Sequence, residues 1–154
     1  MSRSITRIWI HAMWTTKDKA PLITDKIESI LYSKMQEEFN LQGCSVLVID
    51  GTSDHVHCLF LLNGNRSVAD VLRHVKGSSS HFINAEKLTD SQFAWQTRYC
   101  AFALSEKEHD SVMRYIREQK EFHGRVSYET EKNLLLAENN VLPDLFDHPS
   151  KMVA

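Results

Sequence analysis

A chain of 154 residues, 42% hydrophobic and 25% charged, has the balance of a globular protein and the length of a single domain with a real core. No apolar run approaches the roughly 20 residues of a membrane span, and the N-terminus lacks the apolar block and cleavage site of a signal peptide, so a cytoplasmic location is expected. The formal charge of −2 argues against indiscriminate binding to duplex DNA through its backbone.

Residues 5–14, ITRIWIHAMW, are rich in β-branched and aromatic side chains and predict a strand. After a polar break, Thr24 or Asp25 can cap a helix whose apolar residues Ile27, Ile30, Leu31, Met35 and Phe39 recur at helical spacing to about Leu41, with Gly43 as its stop. Two short apolar runs, 46–49 and 55–62, flank the turn-rich Asp50-Gly51-Thr52-Ser53-Asp54 and read as a hairpin. Ser67 is an N-cap for a helix carrying Val68, Val71, Leu72 and Val75, interrupted or ended near Gly77, or continued over residues 78–87. A fourth strand follows over 98–104. Ser105 and Glu108 form a capping box that opens a helix through about Phe122, with Gly124 as terminator. A short amphipathic segment spans 127–137, and a loosely held tail is expected beyond Asn139.

The order βαββαβα predicts an α+β domain of the ferredoxin-like or RNA-recognition type, with an antiparallel sheet and helices mainly on one face. Cys44, Cys58 and Cys100 contain no Cys-x-x-Cys pair, so neither a disulfide framework nor a cysteine zinc site is suggested. Residues 114–125 carry Arg114, Arg117, Lys120 and Arg125 against Glu118 and Glu121, a local basic stretch that the acidic C-terminal region masks in the total.

Two constellations bear on chemistry. His55-Val56-His57 lies in the third strand, where side chains two apart share a face, so both imidazoles project together as half of a first-row metal site. The same spacing also suits two polar residues at a strand edge. Tyr115 and Gln119, four apart on the last long helix, are neighbours beside the stripe of Val112 and Ile116. A half-buried tyrosine with an ordinary surface glutamine is the plainer reading of that pair. His11, His74, His81, His109, His123 and His148 show no comparable pairing along the chain.

Together, and in this order, Asp54-His55-Val56-His57-Cys58-Leu59-Phe60 and Arg114-Tyr115-Ile116-Arg117-Glu118-Gln119 closely resemble the single-tyrosine (Y1, HUH) transposases of the IS200/IS605 type. Three further segments support the resemblance: Trp14-Thr15-Thr16-Lys17, Val75-Lys76-Gly77-Ser78-Ser79-Ser80 and Ala101-Phe102-Ala103-Leu104-Ser105. It extends over residues 5–128. Tyr99-Cys100 and Phe122 depart from the family pattern without touching the ligands or the nucleophile.

The resemblance implies a transposase domain over residues 1–138 with a tail over 139–154. It implies Tyr115 as nucleophile and His55, His57 and Gln119 as ligands of Mg2+ or Mn2+. The implied activity is cleavage and rejoining of single-stranded DNA through a 5′-phosphotyrosine, at hairpin-containing element ends, by a homodimer with composite active sites. Trp9, Trp14 and Trp95 offer stacking faces or core packing, and Arg73, Lys76, Arg114 and Arg117 offer phosphate contacts or a solvated surface. The alternatives are a non-catalytic nucleic-acid-binding module of the RNA-recognition type, a metal-dependent hydrolase using water, and a domesticated relative acting on repeated host hairpins.

Overall fold

Every residue of β1 (Trp9–Thr15) is buried, the mark of a central strand covered on both faces. The structure, a computed structural model, describes residues 4–122 and 126–139. After β1 come α1 (Asp25–Leu41), β2 (Ser45–Gly51), β3 (His55–Leu61), α2 (Val68–Ala85), β4 (Cys100–Leu104), α3 (His109–Arg117), α4 (Gln119–Phe122) and α5 (Tyr128–Glu138). The strands form one antiparallel sheet in the order β2-β3-β1-β4. This is the expected α+β architecture, with β1 and β3 as the central pair.

Strand alternation divides the core in two. Ile10, Ala12 and Trp14 of β1 and Val56, Cys58 and Phe60 of β3 point to one side. There they meet Ile27, Leu31, Met35 and Phe39 of α1 and Val71, Leu72 and Val75 of α2. The opposite face presents Trp9 and Leu59 to Ile116 of α3. Thus α1 and α2 share one face, as the helical stripes require, while α3 lies across the other. Residues through Gln119 form one compact unit and residues from Lys120 a second. Within the second, the Ser127 hydroxyl accepts the Thr130 N–H and caps α5.

Local signals explain most boundaries. Gly43 adopts φ +76° and closes α1. Its N–H donates to the Asn40 carbonyl at 3.0 Å, and the Cys44 N–H donates to Phe39 at 2.9 Å, the paired bonds of a Schellman stop. Ser67 accepts the Asp70 N–H at 3.0 Å and caps α2.

Of the two readings at Gly77, an end or a continuation over 78–87, the structure shows the continuation: the helix runs to Ala85. Val75, Ser79 and Ile83 extend its buried stripe, and that packing outweighs the ~1 kcal/mol by which glycine disfavours a helix interior. The first strand begins at Trp9 rather than at residue 5, where Ile5 is 93% exposed. The three cysteines are buried. Among the described residues, no helix is long and apolar enough to cross a membrane. The expected terminator Gly124, and the tail beyond Asn139, lie outside the described residues.

Candidate active site

The β2–β3 hairpin sets the position of His55. A Cβ on Gly51 would stand 2.1 Å from the His55 carbonyl oxygen, a distance only glycine permits. The Thr52 N–H donates to that same carbonyl at 3.0 Å. Val56 turns into the α1/α2 core, so His55 and His57 share the opposite face, and both are buried. Their ligating nitrogens fall within 4.8 Å of each other.

Each imidazole is braced through Nδ1. His55 Nδ1 lies 2.8 Å from Asp54 Oδ1 and 2.9 Å from Thr52 Oγ1, and that hydroxyl also donates to Asp54 at 3.0 Å. A carboxylate accepting from Nδ1–H leaves the lone pair on Nε2, the form that binds a metal. That Nε2 lies 3.1 Å from Gln119 Oε1, in a buried setting. Two lone-pair donors at this separation match adjacent ligands of one cation. Bonds of about 2.1 Å at a right angle place their ends about 3.0 Å apart. The donor set of two imidazoles and a carboxamide oxygen therefore fits a divalent ion.

His57 is braced by a residue that the sequence pattern did not pair. Its Nδ1 lies 2.8 Å from His11 Nε2, and the two rings stack with centroids 5.0 Å apart. With Nδ1 so engaged, Nε2 is the nitrogen His57 has to offer an ion. The missing signal was strand register. β1 runs antiparallel to β3 with Met13 opposite His57, which places His11, on the same face as Met13, diagonal to it.

Tyr115 stands half-buried on α3. Its ring centroid is 5.7 Å from His57, edge-on at 87°, and 6.2 Å from His11. The single helix expected over 105–122 is corrected in two places. α3 starts at His109, because Glu106 is drawn to β1, where its Oε1 accepts from the Trp9 indole at 2.8 Å and from Arg7. Those bonds, the indole first, hold its carboxyl below the usual range. Ser105 and Glu108 do bond, but as a turn: the Ser105 N–H and hydroxyl donate to Glu108 Oε1 at 3.1 and 3.0 Å. The helix also breaks at Glu118 (φ −98°, ψ 17°), so Gln119 opens α4 rather than continuing Tyr115's helix. The break brings Gln119 to His55.

The three tryptophans serve the core. Trp9, Trp14 and Trp95 are 5%, 1% and 8% exposed, and none offers an open stacking face.

Known proteins share this sequence pattern and this fold. The family described as IS200-like transposases matches residues 4–119. The ISDra2 transposase TnpA of Deinococcus radiodurans is 22% identical over 114 residues, covering 71% of this chain and 81% of that relative. A candidate transposase from Deinococcus radiodurans, known from a crystal structure, superposes with a TM-score of 0.61 at 20% identity, over 77% of this chain and 98% of that one. A REP-associated tyrosine transposase, solved bound to a REP hairpin, gives 0.60 at 16% identity, over 82% and 76%. At these identities the solved structures share the fold.

Proposed function

The chain belongs to the IS200-like transposase family, and we propose that it cleaves and rejoins single-stranded DNA with Tyr115 as nucleophile and His55, His57 and Gln119 as ligands of Mg2+ or Mn2+. The observation that carries this reading is His55 Nε2 facing Gln119 Oε1 at 3.1 Å, with the Tyr115 ring 5.7 Å from His57. A nucleophile, two imidazoles and a carboxamide meet at one place on the β3 face. The transposase domain is assigned to residues 1–138, with 139–154 as a tail.

In the proposed reaction the Tyr115 phenolic oxygen bonds to phosphorus as it gives up its proton, and the P–O3′ bond breaks. The departing 3′-oxygen takes up a proton, leaving a free 3′-hydroxyl and a 5′-phosphotyrosine. The new ester retains the phosphodiester energy, so a second 3′-hydroxyl reverses the step without ATP. A bound divalent cation would neutralise charge on the phosphoryl oxygens. The chain's own work is positional. Asp54 holds the His55 tautomer, His11 holds His57, and the turn at Glu118 presents Gln119.

A binding module of the RNA-recognition type needs its central strands open for stacking. Here β1 is buried throughout and α3 covers that face, which favours the enzyme. By analogy with the hairpin-bound neighbour, the substrate is proposed to be the single-stranded, hairpin-containing end of an element or repeat. A homodimer belongs to the same proposal; composite sites, with Tyr115 serving the partner's histidine pair, are the alternative to the same-chain meeting of Tyr115 and His57.

The test is adduct formation on a labelled single strand in Mn2+, resolved by denaturing gel. Tyr115→Phe should form no adduct yet bind Mn2+ and melt like the parent, while Tyr128→Phe still forms adduct. Adduct persisting in Tyr115→Phe overturns the assignment. Mixing Tyr115→Phe with His57→Ala protomers should restore adduct only if the sites are composite.

A further inference from the structure

On the α2 side of the sheet, a groove of ≈ 650 Å³ opens between one stripe of α2 and the segment 92–99 leading into β4. The helix supplies Arg73, Lys76, Gly77 and Ser80, and the segment supplies Trp95 and Gln96. This volume lies in the range of small-ligand sites. Among the described residues, no carboxylate lines it, although the chain as a whole is acidic. Arg73 pairs with Asp70 one turn away, at 2.7 Å, and Lys76 stands beside it on the groove wall. The Lys76 ammonium donates to the Gln96 and Arg98 carbonyls at 2.5 and 3.3 Å and lies 5.9 Å from the Trp14 ring. Burial lowers its pKa to about 8.

Gly77 is the second observation. It sits inside α2, where glycine is the least favoured residue after proline. A Cβ there would meet nothing within 4 Å, so packing within the protein does not require it. A bare helix backbone facing an open groove suits close approach of a flat ligand.

We infer that this groove binds an unpaired nucleotide of single-stranded DNA, with the base lying against the helix at Gly77 and the phosphate against Lys76 and Arg73. The inference rests on the proposed single-stranded substrate and adds a site apart from the metal ligands. A duplex is read by elements that enter its grooves, and a concave slot is the reverse shape. The groove and the candidate active site are tied to the same end of β1. The Gln96 N–H donates to the Thr15 carbonyl at 2.9 Å, and the Thr16 N–H donates to the Asp54 carbonyl at 2.9 Å. A strand passing the histidine pair at this end of the sheet needs only to round the end of β1 to enter the groove.

The experiment is fluorescence anisotropy in EDTA, with a labelled oligodeoxythymidylate of about 20 nucleotides and, separately, a blunt DNA hairpin. Gly77→Leu fills the groove with a better helix former. Gln96→Glu, on an exposed side chain, places a carboxylate beside Lys76 and covers the case in which the bulkier side chain of Gly77→Leu disturbs folding. Both variants should bind the oligodeoxythymidylate about tenfold more weakly, with Mn2+ affinity unchanged. If the parent binds the oligonucleotide and both variants bind it equally well, the groove assignment is overturned while the substrate reading stands. A loss confined to the hairpin overturns the single-strand assignment. If the parent binds no single strand at all, the substrate reading falls, and the groove with it.

Discussion

Replacing His11 with Phe keeps a flat ring at a position only 4% exposed and removes the nitrogen 2.8 Å from His57 Nδ1. A buried donor that loses such a partner costs about 1–3 kcal/mol. Loss of the group that orients a ligating histidine weakens metal affinity by about 10–100-fold, or roughly 1.4–2.8 kcal/mol. The two figures overlap, which is expected if the bond's main consequence is to hold the His57 tautomer. The assay is calorimetric titration with Mn2+, with melting curves taken with and without the ion. A tenfold weaker site lowers the stabilisation that a saturating concentration of Mn2+ confers by about 1.4 kcal/mol. His11→Gln, which offers a carbonyl oxygen, should recover part of the affinity. If His11→Phe folds and binds Mn2+ like the parent, His11 is a packing residue and the reasoning fails.

Two further predictions concern neighbouring contacts. Asp54→Ala removes the carboxylate at His55 Nδ1 and should weaken Mn2+ binding by about tenfold or more, with Asp54→Asn intermediate; equal affinities in the same titration would refute the brace. Glu106, held below the usual carboxylate range by the Trp9 indole and Arg7, gives a stability contribution that is complete above the unfolded carboxyl's pKa and disappears as pH falls through the lower folded one. Thermal melts of Glu106→Gln should therefore lie below the parent at neutral pH and converge with it as the pH falls through the lowered carboxyl pKa, and a gap of undiminished size across that fall would count against the tether.

The elements that could be read from the chain are those whose signals are local. The helical stripe of α1, its glycine stop and the Ser67 cap each act within a turn or two. The alternation of His55, Val56 and His57 fixes which face each residue takes, whatever covers that face. What was left open or misread depended on packing and on partners that local signals do not name. Whether α2 ends at Gly77 or runs on is decided by the burial of Ser79 and Ile83, which continue its stripe under the sheet. The box at Ser105 reads as a helix start until Glu106 is seen bonded to Trp9, 97 residues away.

The two histidines show the same division inside one site. His55 is braced by the residue beside it, so its tautomer is written in the dipeptide Asp54-His55. His57 has Val56 and Cys58 beside it, both turned into the other core, and the His11 nitrogen that meets its Nδ1 lies 46 residues away on β1. That contact exists only when β1 pairs with β3 in the observed register. A one-residue slip would send His11 to the opposite face. The β1–β3 pairing therefore sets more than the core. A change that loosens that register, even one far from any ligand, should act first on His57, while His55 keeps its orientation from the hairpin.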